Sequence, residues 1–439
     1  MDNLNVAILG CGTVGGGVAR ILLDMQDELT TRAGKHIRLV KIVELSPEIS
    51  AKRFNIPLDL FCGKGSELSK EESNNYIREI IQSDEIDLIV ETIGGSNDFV
   101  EQLAIDICKS GKHLITANKA LLAERGDKIF GAAKESGSFI GYEAAVCGAI
   151  PVIKTIKESF TGDRIRTISG IMNGTSNYIL SMMHNERMEF KDALKLAQEN
   201  GYAESDPTLD INGYDAGHKL VILIRLAFGV NLPMYKIPIQ GIENIQKEDI
   251  EFAEEIGAKI KLICFAHKID GKIYATVCPM MVKNSNFLAE VNGATNAVKF
   301  INEYSGKHIL VGAGAGSSET ASSIVADIVF GAKHQGKLES EINSNEIEFT
   351  DAKHYQLPYI ITFETGDIPG ITGLVTTSIG HQNINIDTVS HNRHKRNCAT
   401  FFIATMPCTL QQVEDAIQEI RKSNPEILLS IPKIIPILN

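Results

Sequence analysis

Residues 5–44 narrow the possible folds more than any other stretch of the chain. Asn5 to Leu9 is a short apolar run that meets Gly10 directly, and Gly10-Cys11-Gly12-Thr13-Val14-Gly15 matches GxGxxG. From about Val14 to Thr31 the apolar residues Val14, Val18, Ile21, Leu22, Met25 and Leu29 recur at helical spacing. Ile37 to Val43 then reads as a second strand, closed by Glu44. A GxGxxG alone marks no more than a glycine-rich turn. Set in the order strand, glycine turn, helix, strand, acid, it predicts a dinucleotide site. The glycines let the backbone approach a pyrophosphate, and the helix N-terminus presents free N–H groups and a positive dipole end. Gly10, Gly12, Thr13, Val14 and Gly15 are then the phosphate-side candidates, and Glu44 the ribose-side one.

The alternation continues. Asp87 to Glu91 is a buried parallel strand, turned at its carboxyl end by Thr92-Ile93-Gly94-Gly95. His113 to Thr116 is a strand ending in Ala117-Asn118-Lys119, and Phe139 to Tyr142 is one ending in Glu143. Open α/β sheets bind ligands beyond the carboxyl ends of their strands, which makes Thr92, Lys119 and Glu143 candidates. After Pro151 the texture changes to partly alternating strands near 165–171, 260–265 and 273–277, with helices near 177–186, 190–200 and 214–228. Gly312-Ala313-Gly314-Ala315-Gly316 opens a helix at about 318–330 that can return to the first domain and close over its ligand. Residues 333–353 are polar and aperiodic, as a linker is.

Beyond that linker come a strand at 359–365, a helix begun by Asp367-Ile368-Pro369-Gly370, and strands at 384–390 and 399–405. A basic loop with Arg393, Lys395 and Arg396 separates those two strands; a helix at 410–421 and a last strand near 428–431 follow. The order βαββαβ is ferredoxin-like. The expected fold class is α/β in three parts. A Rossmann-type dinucleotide-binding domain covers 1–150, with a return helix at about 311–335. An α+β domain covers 151–310, and a C-terminal ferredoxin-like domain covers 355–439.

Composition agrees with a globular protein. At 439 residues, 44% hydrophobic and 22% charged, roughly three domains are expected. The charge sum of 43 − 55 = −12 argues against a nucleic-acid surface or a polybasic membrane anchor. No apolar run reaches the roughly 18 residues of a membrane span and no secretory leader is evident, so a soluble cytoplasmic protein is expected. The eight cysteines include no CxxC pair, which speaks against a zinc site or a dithiol redox pair. Cys11 and Cys147 read as fillers of small-residue positions, since nothing in the sequence lowers their thiol pKa.

The densest chemistry lies between Gly201 and Lys219. Glu204, Asp206, Asp210 and Asp215 precede Lys219, and Asp215 and Lys219 are four apart, on one helix face. Alone this is a solvated acidic loop with a surface ion pair. Downstream of a dinucleotide domain, clustered carboxylates suit a substrate ammonium group, and a lysine suits proton exchange with an oxygen substituent. An ordinary lysine pKa of about 10.4 fits a donor to the alkoxide formed when a carbonyl is reduced. Lys119, at a strand end, is the second candidate. His218 points about 100° away from Lys219 around a helix and reads as a packing or surface residue.

These motifs carry a resemblance to the homoserine dehydrogenases. They are GCGTVG at Gly10, TANKA at Thr116, YEAAVCGAIP at Tyr142, NGTSNYIL at Asn173, GYAESDPTLDINGYDAGHKL at Gly201 and GAGAG at Gly312. They span most of 1–335, and the stretch from Gly201 to Leu220 is the most specific. The C-terminal part resembles an ACT domain, a module often used to sense amino acids. The resemblance implies reversible hydride transfer between NAD or NADP and the terminal carbonyl of L-aspartate 4-semialdehyde, giving L-homoserine for threonine and methionine synthesis. By similarity, Lys219 is the proton donor in reduction and Lys119 lies close to substrate and cofactor. Glu204, Asp210, Asp215 and Thr175 hold the substrate, and Gly316 joins the cofactor site. Glu143, Val146, Gly148 and Ile150 correspond to a site for Na+ or another monovalent cation, built mainly of backbone carbonyls. The middle domain becomes one for substrate binding and dimerisation, in a homodimer or homotetramer.

Two departures from the family pattern matter. Many members place an arginine before the acid that ends the second strand; here Val43 precedes Glu44. A carboxylate there bonds a ribose 2′-OH and repels a 2′-phosphate, which predicts a preference for NAD over NADP unless Lys52 or Arg53 reverses it. The segment after GAGAG often holds a proline-threonine pair, where this chain has Glu319-Thr320. In the ferredoxin-like part, Asp367, Gly370 and Asn383 are candidates for an effector pocket, with threonine the natural amino acid to test; a dimerisation module without ligand is the alternative. The rival readings of the whole chain are a Rossmann enzyme acting on another semialdehyde and a non-catalytic amino-acid sensor on a nucleotide fold.

Overall fold

The computed structural model describes residues 2–334, 348–395 and 398–439. It forms two compact units. The first is Met1–Ile165, His218–Met234 and Val298–Asn345; the second is Arg166–Gly217, Tyr235–Ala297 and Glu346–Asn439. The residues expected as the middle of a linker, 335–347, and Arg396 of the expected basic loop lie outside the described residues.

In the first unit, strands β1 (Asn3–Leu9), β2 (His36–Val43), β3 (Leu88–Glu91), β4 (His113–Thr116) and β5 (Ile140–Gly141) form a parallel sheet in the order β2-β1-β3-β4-β5. Every residue of β3 is buried, as a central parallel strand covered on both faces requires. The strand order reverses between β1 and β3, and the carboxyl ends of those two strands carry Gly10 and Thr92. The first helix is shorter than the sequence period suggests. It is α1 (Thr13–Asp24), and a second helix, Gln26–Ala33, starts after a break at Met25 (φ −111°, ψ 24°). The helix Ser317–His334 packs its Ala321, Ile324, Val325 and Ile328 into the same core as Val6, Ile8, Val18 and Leu22. Its Ser317 Oγ donates to the Thr13 carbonyl at 2.6 Å.

The second unit is built on the antiparallel pair Ala258–Ile269 and Lys272–Lys283, joined at Asp270-Gly271. Its C-terminal part has the expected βαββαβ order: Tyr359–Gly366, Ile371–His381, Ile386–Lys395, Cys398–Thr405, Leu410–Ser423, Lys433–Leu438. Taken as strands one to four, they lie in the sheet order 4-1-3-2. Three details differ from the sequence reading. The helix starts at Ile371 with Gly370 as its N-cap (φ 87°), leaving Pro369 outside it. The second strand runs on to Lys395. The last strand is Lys433–Leu438, and Leu428 makes only an isolated bridge to Thr365. That last strand pairs on one side with Tyr359–Gly366 and on the other, in parallel, with Lys272–Lys283. The strands Thr295–Asn302 and Gly306–Ala313 were not evident in the sequence. Among the described residues no helix is long and apolar enough to cross a membrane.

Lys261 is buried in the second unit at 1% exposure. Its ammonium donates to the Val291 carbonyl at 2.7 Å and to Asn177 Oδ1 at 3.2 Å. Burial, then the charge of Lys259, brings its pKa down to about 7 from an ordinary 10.5. Between these values the unfolded chain holds a proton that the folded chain has lost. The stability contribution is therefore complete above the unfolded value and is lost as pH falls toward the folded one. Lys261→Met is expected to gain on the wild type by an amount that shrinks by on the order of 2–4 kcal/mol between about pH 7 and pH 10. Urea unfolding of both proteins across that range measures it; a difference that stays constant with pH would refute the assignment.

Candidate active site

At the glycine turn, Gly10 adopts φ 90° and its N–H donates to the Val43 carbonyl at 2.9 Å, tying the turn to the end of β2. A side chain on Gly15 would place its Cβ 2.0 Å from the Gly10 carbonyl oxygen and 2.6 Å from Thr92 Oγ1. Only glycine lets α1 start this close to β1. Gly12 is different: a Cβ there would meet nothing within 4 Å, and Gly12 caps α1 with no side-chain bond. Its surroundings are open, and the first N–H groups of a helix have no partners within it, which fits a phosphate. The Thr92 hydroxyl donates to the Gly10 carbonyl at 2.7 Å and so supports the turn from behind. Gly316 (φ 137°) precedes the helix whose Ser317 bonds Thr13, and the Glu319 carboxylate curls back against it.

The Glu44 carboxylate accepts from Cys11 N at 2.6 Å and from Leu45 N at 2.8 Å, so the acid at the end of β2 is held over the glycine turn. Arg53, on the helix Pro47–Phe54, donates to Thr13 Oγ1 at 3.3 Å. Lys52 is exposed. Burial, then the Glu44 charge, pushes the Cys11 thiol up to about 12. That thiol stays protonated at neutral pH and is a poor redox centre.

Lys119 opens the helix Lys119–Ser136. Asn118 caps that helix, accepting from Leu121 N at 3.1 Å while its Nδ2 donates to the Gly95 carbonyl at 2.6 Å. Buried Glu91 secures the neighbouring turns: Oε1 accepts from Ile93 N and Gly94 N, and Oε2 accepts from Thr116 Oγ1 at 2.6 Å. Lys119 thus stands on a helix start fixed by the turns that follow β3 and β4 at the carboxyl edge of the sheet. Lys219 lies in the helix Tyr214–Phe228 and is buried to 7% exposure.

In the second unit, Asn173 gathers the acids. Its Oδ1 accepts from Ser176 N, capping the helix Gly174–Asn185, and its Nδ2 donates to Asp210 Oδ1 at 2.7 Å and Asp215 Oδ2 at 2.8 Å. Ser176 Oγ donates to the Asp210 carbonyl, and Thr175 Oγ1 to the Tyr202 carbonyl at 2.7 Å. Asp210 and Asp215 are therefore side by side, and Asp215 is one helical turn from Lys219. Glu204 is exposed on the preceding loop.

Glu143 is buried after β5. Its carboxylate accepts from Ile153 N and Lys154 N, each at 2.8 Å, and its own N–H donates to Asp327 Oδ2. Burial first, then the charge of Asp327, raises its pKa to about 7. What the turn offers a cation is therefore backbone oxygen. Cys147 (φ 55°) and Gly148 (φ 52°) are both left-handed and reverse the chain. The Glu143, Gly148 and Ile150 carbonyls each accept one internal bond, from Val146 N, Ser323 Oγ and Val152 N. Each carbonyl oxygen retains a second lone pair, and an all-oxygen set suits a hard cation. In the C-terminal part, Asp367 and Gly370 line a cavity of about 370 Å³ with Ile368, Thr372, His391 and Ala399. Asn383 (φ 56°) lies beyond the opposite end of the helix that Gly370 caps.

Comparison with known proteins decides what these features belong to. A family model described as homoserine dehydrogenase matches residues 151–329, and one described as its NAD-binding domain matches 10–143. The homoserine dehydrogenase of Neisseria gonorrhoeae is 36% identical over 400 residues, 89% of this chain and 88% of that protein. The solved homoserine dehydrogenase of Thiobacillus denitrificans superposes with a TM-score of 0.91 at 32% identity, covering 100% and 99% of the two chains. The chain belongs to the homoserine dehydrogenase family. A hyperthermophilic archaeal homoserine dehydrogenase solved in complex with NADPH matches with a TM-score of 0.60 at 25% identity, over 74% of this chain and 97% of that one.

As a homoserine dehydrogenase the protein is an NAD(P)-dependent oxidoreductase, and the family implies homoserine and aspartate semialdehyde as substrates. The reading as a non-catalytic sensor is not favoured. Two residues of its candidate site escaped the sequence reading. Asn173 stood inside a quoted motif but was not singled out, although an Asn before Gly-Thr-Ser is a strong helix cap. Glu91 was read only as the end of a strand.

Proposed function

We propose that this homoserine dehydrogenase interconverts L-homoserine and L-aspartate 4-semialdehyde with Lys219 as the proton-transfer group. The observation that supports this most directly is the pairing of Asp210 and Asp215 on Asn173 Nδ2, one helical turn from Lys219. Two neighbouring carboxylates, with Glu204 nearby in sequence to Asp210 and the Thr175 hydroxyl two residues from Asn173, provide for a substrate ammonium group. In oxidation Lys219 Nζ takes the hydroxyl proton as the carbonyl forms; in reduction it returns a proton to the carbonyl oxygen. Lys119 Nζ stabilises charge developing on that oxygen. A nicotinamide, when bound at Gly10, Gly12, Thr13, Val14, Gly15, Thr92 and Gly316, supplies or accepts the hydride.

NAD is the preferred cofactor in this reading, because the Glu44 carboxylate repels a 2′-phosphate; Arg53 is the cation available to oppose it. The carbonyls of Glu143, Val146, Gly148 and Ile150 hold Na+ or a similar ion. The parts serve respectively for cofactor, for substrate and dimer contacts, and, as an ACT domain, for an amino-acid effector such as threonine at Asp367 and Gly370. Steady-state oxidation of L-homoserine with NAD and NADP side by side tests the core of this. Turnover with a higher kcat/KM for NAD is expected, and Glu44→Gln is expected to shift the ratio toward NADP by about tenfold or more. Absence of turnover with either cofactor would sink the activity, and an unchanged ratio would remove Glu44 from cofactor choice.

A further inference from the structure

Proton transfer by Lys219 beside Lys119 requires two lysines on two different helices to be aligned. Within the first unit, His218 Nε2 lies 3.1 Å from Glu124 Oε1, and Arg225 Nη1 lies 2.5 Å from Asp127 Oδ1. Asn231 Nδ2 also donates to Asp127. Arg225 lies in addition over the Phe130 ring, 4.5 Å from its centroid. Glu124, Asp127 and Phe130 all belong to the helix that Lys119 opens, and His218 and Arg225 to the helix that carries Lys219. The rungs run in the same order along both helices, so the helices run parallel here; Lys219 directly follows the His218 rung, and Lys119 lies somewhat more than one turn ahead of the Glu124 rung. The basic members are well covered, with side-chain exposures of 10% for His218 and 16% for Arg225. Ion pairs that were fully exposed would do little here; these combine enclosed bases with a stacked guanidinium.

We propose that the His218–Glu124 and Arg225–Asp127 pairs set the register of the two helices and thereby the placement of Lys219 relative to Lys119. His218 and Arg225, with Glu124 and Asp127, are positioning residues for hydride transfer and do not touch the reacting atoms. The proposal rests on the assignment of Lys219 as the proton-transfer group. An error of about 1 Å in such placement costs up to about 100-fold in rate, whereas removal of a merely stabilising surface pair leaves kcat intact.

Glu124→Gln, Asp127→Asn and their double variant, in the full-length protein, are compared with wild type in homoserine oxidation, with thermal melting alongside. The double variant is expected to lose roughly tenfold or more in kcat, with the cofactor KM held within about twofold. Asp127→Glu, which keeps the charge, is expected to recover most of the loss. The pair His218→Gln with Glu124→Gln is expected to be no worse than the poorer single variant, as members of one contact behave. A double variant with wild-type kcat, in a series where Lys219→Ala is inactive, overturns the positioning role and leaves the lysine assignment standing. Lys219→Ala with wild-type kcat overturns the assignment underneath it. A lowered melting temperature with unaltered kcat per folded molecule reduces the rungs to stabilising contacts. Arg225→Lys, which retains the cation without the planar fork, repeats the test should a carboxylate variant fail to fold.

Discussion

Lys219→Ala is expected to lower kcat for homoserine oxidation roughly 10²–10⁴-fold while the cofactor KM changes by no more than about threefold. Removing a hydride from the carbinol carbon leaves a carbonyl only if the hydroxyl proton also leaves, and the reverse reaction needs a proton for the alkoxide. Lys219 is buried, yet it sits one turn from Asp215, so its ammonium form has a carboxylate within reach of the same helix face. The glycine turn, Glu44 and Arg53 belong to other elements, which is why cofactor binding should survive. Lys219→Met, similar in length and uncharged, separates lost packing from lost proton transfer. Fluorescence titration with NADH and NADPH beside the kinetics supplies the check. A variant that keeps its kcat, or one that loses cofactor binding in parallel, would remove Lys219 from the chemistry.

The second large effect is expected at two glycines that differ in kind. Gly15→Ala puts a methyl group 2.0 Å from the Gly10 carbonyl oxygen, a separation no packed carbon tolerates. Helix α1 must move off β1, and kcat/KM for the cofactor is expected to fall roughly 100-fold, with a stability loss of about 1–3 kcal/mol. Gly12→Ala adds the same methyl where nothing lies within 4 Å. It should leave the melting temperature nearly unchanged and still weaken the cofactor, because the methyl stands where the phosphates approach. Melting curves and kcat/KM for both variants give the answer. Equal melting temperatures for the two would contradict the packing at Gly15, and an unimpaired Gly12→Ala would place the phosphates elsewhere.

What could be read from the sequence were features that are contiguous along the chain. The first strand, glycine turn and second strand lie within 40 or so residues, and Asp215 with Lys219 is a local pair on one helix. What escaped depends on contacts between distant segments. Asn173 joins Asp210 and Asp215 across 37 and 42 residues, and no local pattern announces that link. Glu91 secures backbone N–H groups and Thr116 from another strand. The final strand was placed too early because Pro436 interrupts Lys433–Leu438, and proline argues against a strand unless its position needs no donor. Thr295–Asn302 was missed because five successive residues within it are buried, which hides the two-residue period.

The pairing of Lys433–Leu438 with Lys272–Lys283 also governs how the protein is made. The sheet of the second unit closes on a strand far downstream of the one it pairs with, so that edge stays open until the later strand has been made. A transcript cut short before that strand would not yield a merely shortened enzyme. It would leave the edge formed by Met280, Met281 and Val282, residues buried in the finished protein, as a template for pairing with other chains. Premature termination in this gene would therefore register first as aggregation and clearance by quality control, before any change in regulation could be felt.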